Sequence, residues 1–352
     1  MPEGHTVHRL ARTFDTLFAG QVLRVSSPQG RFADGAGVLD GRRLVASEAW
    51  GKQLFLGFAP AERPADLRSD TLWLRTHLGL YGAWTFAGAP DAPEVAHAIG
   101  APRRRIGERD SAPASAPPSS DVSGPRVPPG TSTSDTWEVP QPRGQVRVRL
   151  LGAHAVADLT GPTACEVITA DEKEAVEARL GPDPIRDDGD PDAFVAALGR
   201  SRVTIGQQLM DQAVVAGVGN IYRAEVLFRA GVDPLRPGRD VPAATVRAIW
   251  DDLVVLMRDG ADHGAIVTTR PADRGAGHVA DVADGGAEPV PAADRGRGRT
   301  RQNTDGSPGA VPSDQAFYVY HRDGLPCRVC GSPVLVKELA GRNLFWCGVC
   351  QT

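Results

Sequence analysis

The chain is poor in several residue types, and each shortage excludes something. Only three of its 39 basic residues are lysines (Lys52, Lys173 and Lys337), so basic side chains are nearly always arginine. Arginine's planar guanidinium suits phosphate, but a bias spread over the whole chain reads as genomic. The net charge is −4, so bulk charge gives no sign of a nucleic-acid partner. No run approaches the ~18 apolar residues of a membrane span. The first residues, MPEGHTVHRLARTFDTLF, carry charges throughout and lack the apolar core of a secretory signal. Five cysteines in 352 residues are too few for a disulfide framework. Four of them sit close together near the end, which points to metal in a reducing compartment.

What is present is organised in blocks. Val7, Leu10, Ala11, Phe14, Leu17 and Phe18 recur at helical spacing and predict a helix over residues 4–18. From Gln21 to Phe86 the pattern changes to short apolar runs punctuated by glycine and proline (QVLRV, RRLVASEAWG, QLFLGF, TLWLRTHLGLYGAW), as in an antiparallel sheet. Residues 88–144 are Pro/Ser/Gly-rich and read as a disordered insertion. Gln145–Leu151 alternates again, as a strand returning to the sheet. The second half is helical, with helix-period residues over Pro191–Gly199, Ile205–Val214, Asn220–Ala230 and Ala243–Met257. A second low-complexity stretch, 268–313, carries a basic run (Arg295, Arg297, Arg299, Arg301) that reads as a solvated tether.

Three local patterns carry chemistry. Cys327-x2-Cys330 and Cys347-x2-Cys350, sixteen residues apart, have the spacing of a zinc ribbon. Four thiolates close a tetrahedral Zn²⁺ and leave no open position, so the ion is structural. Gly341-Arg342-Asn343 lies between the knuckles, where a metal-held turn can present arginine to DNA. Gly217 and Gly219 break a helix and Asn220 is placed to cap the next one, an arrangement whose free N–H groups suit phosphate. Proline in second position favours removal of Met1, leaving a secondary amine. Its pKa near ~8 keeps far more of it neutral than a lysine near ~10.4. Such an amine attacking a sugar C1′ gives a permanently cationic iminium that prepares β-elimination, and Glu3 stands beside it to move protons.

Taken in order, MPEG, Gly51-Lys52, THLGLYG, LMDQAVVAGVGNIYRAEVLFRAG and the closing CxxC…CxxCQ resemble the formamidopyrimidine-DNA glycosylase/endonuclease VIII family. That resemblance implies an α+β multidomain protein: an N-terminal helix plus antiparallel β-sandwich (1–158), a helix–two-turn–helix domain (159–267), the linker 268–313 and a zinc finger (314–352). It implies a bifunctional DNA glycosylase/AP lyase of base-excision repair. Pro2 is then the nucleophile, Glu3 the general acid/base and Lys52 a phosphate contact assisting proton transfer. Asn220 and Arg342 clamp phosphates, and Leu80 and Tyr81 fill the void left by the extruded nucleotide. MPEGHT, the LYG turn and HRDGLPCRVCGSPV are closer to the endonuclease VIII branch, which implies oxidised pyrimidines as substrates. The alternatives are a purine-directed glycosylase and a non-catalytic binder of damaged DNA. The expected partner is damaged DNA, met by a cytoplasmic monomer with one Zn²⁺ and no membrane attachment. Two departures stand out: Thr6 replaces a frequent glutamate, and Gly206-Gln207-Gln208 lacks a frequent lysine.

Overall fold

The computed structural model describes residues 2–62, 70–100, 137–274, 311–312 and 314–352. The chain opens with helix α1 (Gly4–Phe18), whose apolar stripe Val7, Leu10, Phe14 and Phe18 is buried as its spacing predicts. Strand β1 (Arg24–Ser26) and the short helix α2 (Ala33–Leu39) lead into β2 (Arg43–Trp50), β3 (Gln53–Ala59), β4 (Leu72–His77), β5 (Ala83–Gly88) and β6 (Ala98–Gly100). Then come β7 (Val146–Leu151), β8 (Ala155–Thr160) and β9 (Ala164–Ile168). These form two antiparallel sheets, in the orders β1-β7-β8-β5-β6 and β2-β3-β4-β9. Their shared core also receives α1: Phe14 packs edge-on against Trp84 at 4.8 Å and Phe86 at 5.4 Å.

Two sequence boundaries move. The first domain was expected to end at 158, yet β9 pairs with β4 from Trp73↔Ile168 to His77↔Ala164, so the sheet reaches Ile168. The expected insertion at 88–144 is shorter at its start, because β6 pairs with β5 through Ile99, a buried core residue. Residues 101–136 lie outside the described residues.

The second half is helical: α3 (Ala170–Glu177), α4 (Pro191–Gly199), α5 (Ile205–Gln208), α6 (Asn220–Arg229) and α7 (Ala243–His263). Asp190 caps α4 by accepting from Asp192 and Ala193 N–H, with Pro191 at the first helical position. The helix expected over Ile205–Val214 stops at Gln208. Asp211 turns its carboxylate to Ala213 N–H, and Gln212 bonds Gly217 N–H and the Val218 carbonyl, so side chains fold this stretch into a turn. The core of this half is built from Phe194, Ile221, Tyr222, Leu227, Ile249, Trp250 and Leu253.

The stretch 268–313 also begins later than expected. Thr268 and Thr269 are buried and bond to the 315–316 backbone, while 275–310 and 313, with the basic run, lie outside the described residues. The chain closes with the hairpin β10 (Leu335–Leu339) and β11 (Arg342–Trp346), joined by a two-residue turn with Ala340 and Gly341 both at positive φ.

Candidate active site

Helix α6 begins without a side-chain cap of its own. Its N-cap residue is Gly219, so the expectation that Asn220 caps it does not hold. The cap arrives from the other end of the sequence. The Glu3 carboxylate accepts from Gly219 N–H at 3.0 Å, Ile221 N–H at 2.8 Å and Tyr222 N–H at 3.4 Å. A carboxylate satisfies the orphan donors of a helix N-terminus and complements its dipole. These N–H groups are therefore committed to Glu3, whereas the sequence offered them to phosphate.

The approach is close enough to require glycine. A Cβ on Gly219 would stand 2.4 Å from the Glu3 carboxyl carbon. Gly4 donates its N–H to the Gly217 carbonyl at 2.8 Å, and a Cβ on Gly4 would stand 2.7 Å from the Gly217 Cα. On a third side comes the β2–β3 turn. Gly51 adopts φ 58°, and a Cβ there would meet the Gly217 nitrogen at 2.9 Å. Next to it, Lys52 donates its ammonium to the Val218 carbonyl at 2.8 Å. Glu3, with Pro2 beside it in sequence, and Lys52 are thus brought to one place, against the 217–219 turn, from segments far apart in sequence.

Burial sets the electrostatics. It pushes the Glu3 carboxyl above its usual range, against the opposing pull of Lys52 and of the Ile221 N–H. It pulls the Lys52 ammonium below its usual range, with Glu3 opposing and Arg342 adding to the fall. Both groups are moved toward neutral pH from opposite sides, a pattern expected of acid–base partners. His5, in the first turn of α1, is buried against the edge of the Tyr222 ring, and its pKa falls to about 3 through burial and nearby positive charge.

The sequence pattern left out the residues that join this pocket to the terminal module. Arg223 is fully buried and donates to Asn220 Oδ1, to the Gly206 carbonyl and, at 3.1 Å, to the Asn343 carbonyl. Asn220 donates to the same Asn343 carbonyl at 2.9 Å. Asn343 follows Arg342 on β11, so two side chains of α6 register the hairpin that carries Arg342. Two residues beyond Arg223, Glu225 accepts from the N–H groups of Tyr318, Val319 and Tyr320, each at 2.8 Å, and from the Thr268 hydroxyl. A signal was available: an arginine and a glutamate two apart in the otherwise apolar NIYRAEVLF cannot both face water on a helix buried all round.

Arg342 is exposed and lies within electrostatic reach of Lys52 and Arg223. Leu80 and Tyr81 stand out at the tip of the turn between β4 and β5, 40% and 59% exposed. His77 holds the base of that turn: its Nδ1 accepts from Gly79 N–H and meets the Thr163 hydroxyl at 2.8 Å. Burial, Lys52 and Arg75 lower the His77 pKa, which suits a ring nitrogen acting as acceptor.

The four terminal cysteines converge. Thiolates around a zinc ion ~2.3 Å from each sulfur form a tetrahedron with edges of about 3.8 Å. Here Cys327 and Cys350 are 3.9 Å apart, Cys330 and Cys347 3.4 Å, and all four sulfurs lie within 4.8 Å of one another. The donor set fits one structural Zn²⁺. Cys165 stays apart on β9, its thiol pushed up to about 12 by burial.

Three family models match the chain. They are the formamidopyrimidine-DNA glycosylase N-terminal domain over residues 1–104, the formamidopyrimidine-DNA glycosylase H2TH domain over 180–271, and a zinc finger found in FPG and IleRS over 324–352. Endonuclease 8 1 of Mycobacterium tuberculosis is 39% identical over 352 residues, covering 100% of both chains. Formamidopyrimidine-DNA glycosylase of Thermus thermophilus is 31% identical over 173 residues, 49% of this chain and 54% of its own. In fold, the chain is similar to Lactococcus lactis Fpg solved in complex with abasic-site DNA, with a TM-score of 0.60, 18% identity and 99% of each chain covered.

Proposed function

The chain belongs to the formamidopyrimidine-DNA glycosylase/endonuclease VIII family, and from that premise we propose that it is a bifunctional DNA glycosylase and AP lyase acting through Pro2 on oxidised pyrimidines. One observation supports the reading: the Glu3 carboxylate, next in sequence to Pro2, and the Lys52 ammonium bond the same 218–222 stretch of backbone, each with its pKa moved toward neutrality.

Removal of Met1 frees the Pro2 nitrogen. Its lone pair attacks C1′ of the extruded nucleotide, the glycosidic bond breaks, and the base leaves with a proton. Glu3, bound to the start of α6, gives a proton to O4′ as the C1′–O4′ bond breaks, and the sugar ring opens to the Pro2 iminium. The resulting iminium acidifies the C2′ proton. Loss of that proton expels the 3′ phosphate by β-elimination, and a further elimination expels the 5′ phosphate, leaving a one-nucleotide gap. Lys52 supports these transfers and contacts phosphate. Asn220 and Arg342 hold the backbone around the lesion, and Leu80 and Tyr81 occupy the space in the stack. Zinc keeps the Arg342 hairpin folded. The preference for oxidised pyrimidines rests on full-length likeness to Endonuclease 8 1 and on the MPEGHT and LYG motifs. The enzyme acts as a cytoplasmic monomer on damaged DNA.

The test is borohydride trapping on three matched duplexes carrying an abasic site, an oxidised pyrimidine or 8-oxoguanine. A covalent adduct on the first two and little on the third is expected. Trapping on 8-oxoguanine in preference to the pyrimidine would reassign the substrate, and no trapping on any duplex would remove the Schiff-base mechanism. Affinity for the abasic duplex should also fall steeply as salt rises.

A further inference from the structure

Asp183 lies outside every motif that the catalytic reading uses, yet it is fully buried where four parts of the site meet. Its Oδ2 accepts the Gly51 N–H at 2.7 Å, at the turn that carries Lys52. The same oxygen is 2.8 Å from Nε2 of His8, one turn along the helix that begins beside Glu3. Its Oδ1 accepts Ile185 N–H at 2.9 Å, fixing its own segment. That segment is bonded in turn to the glycine turn, through Ala216 N–H to the Pro182 carbonyl at 3.0 Å and Gly181 N–H to the Gln212 carbonyl at 2.8 Å. Trp50 Nε1 adds a bond to the Gly181 carbonyl at 3.0 Å.

A buried carboxylate needs compensating donors, and a hydrophobic or neutral side chain would serve mere packing as well. Here the donors come from the helix, the hairpin turn and the connecting segment. The nearby Arg186 guanidinium is held bidentately by Asp188. On the opposite face, the Gly51 turn is pressed against Gly217. The turn is therefore gripped between the glycine backbone and the Asp183 carboxylate, and Lys52 has little freedom to leave Glu3.

Resting on the proposed Schiff-base reading, we infer that Asp183 is a positioning residue: by holding the Gly51 N–H and His8 together it fixes Lys52 and the start of α1 in catalytic register. It touches neither substrate nor the reacting amine. Asp183→Asn is nearly isosteric and keeps an oxygen for Ile185 N–H, but it turns an amide donor toward the Gly51 and His8 donors.

The experiment measures single-turnover trapping on saturating abasic DNA, with affinity for a reduced abasic analogue and thermal midpoint measured on the same full-length, zinc-loaded protein. Asp183→Asn should trap ten- to a hundredfold more slowly, with DNA affinity within about twofold of the original. Both limbs of its pH profile should spread outward as Glu3 and Lys52 become better hydrated. Asp188→Asn, on the same segment, should behave as the original chain. A lowered thermal midpoint with unchanged trapping rate and pH profile at a temperature well below it would overturn the inference, leaving Asp183 a purely structural residue. If Asp183→Asn does not fold, Asp183→Glu serves: it keeps the charge but displaces the oxygen from Gly51, and full trapping speed in that variant would equally overturn the inference. Failure of the original chain itself to trap would instead count against the Schiff-base reading.

Discussion

The zinc module and the Glu3 pocket solve the same problem, holding charged groups in fixed places, by opposite means. The module gathers four thiolates from 24 residues of chain on a largely exposed hairpin, where the metal supplies the folding energy that a small core cannot. The pocket gathers Glu3, Lys52 and the 217–219 turn from three distant segments, with glycine at every close approach and a helix N-terminus in place of a metal. One is local and metal-dependent; the other is long-range and depends on shape. Helix α6 joins them: Asn220 and Arg223 both hold the Asn343 carbonyl, and Glu225 holds the 318–320 backbone. Binding of DNA should therefore be separable from chemistry at Pro2.

Loss of the metal should have the largest effect. Cys347→Ser or strong chelation should lower affinity for abasic duplex by at least a hundredfold, while circular dichroism and proteolysis show the N-terminal sheets still folded. Tight binding by the metal-free protein would remove the distinction. The reciprocal change is Gly219→Ala, which places a methyl against the Glu3 carboxyl carbon. Trapping should fall roughly a hundredfold with zinc content unchanged and DNA affinity reduced only severalfold; equal losses of affinity and rate would show the two regions to be one unit.

Glu225→Ala tests the strap between them. It leaves two buried N–H donors and a half-buried third without a partner, at about 1–3 kcal/mol each before relaxation. A loss on the order of 3–5 kcal/mol in chemical denaturation is expected, with faster zinc release to a chromogenic chelator. His5 gives the pocket a pH signature of its own. Its pKa is lowered on folding from 6.5 to about 3, so its stabilising contribution is complete above pH 6.5 and is lost as pH falls toward 3. The slope is about 1.4 kcal/mol per pH unit inside that window. Glu3 has the opposite sign: its raised pKa makes burial of the ionised form unfavourable at neutral pH, a penalty relieved on acidification. His5→Leu should gain on the original chain in denaturant midpoint as pH drops from 6.5 to 4; parallel curves would contradict this. The smallest effect belongs to the zinc hairpin. Ala340 sits at φ 51°, which asparagine tolerates better. Ala340→Asn should raise the thermal midpoint by the equivalent of ~0.5–1 kcal/mol and leave trapping untouched.

This contrast also explains what could be read from the sequence. Cysteine spacing is a local property, so the zinc module was legible in full. The apolar period of α1 and the alternation of β7 were equally plain, because each element buries one face. MPEG, Gly51-Lys52 and GVGNIYR named the pocket's residues but concealed its architecture. A capping bond from Glu3 to Ile221 spans 218 residues, and no local pattern encodes it. Asn220 looked like a cap because capping is usually local; the tertiary partner displaced it. Arg223, Glu225 and Asp183 escaped for the same reason, each being a buried charge whose partners arrive from other segments. Thr268 resembled linker composition, yet it is an anchor, since only the fold places Glu225 opposite its hydroxyl.

The central chemical question is which nitrogen forms the adduct. The protein should be trapped with borohydride on abasic DNA, digested with protease and nuclease, and the modified peptide sequenced by mass spectrometry. One adduct is expected, on the α-nitrogen of a peptide beginning at Pro2, and none once the N-terminus is blocked. An adduct on Lys52, or undiminished trapping by a blocked chain, would contradict that expectation.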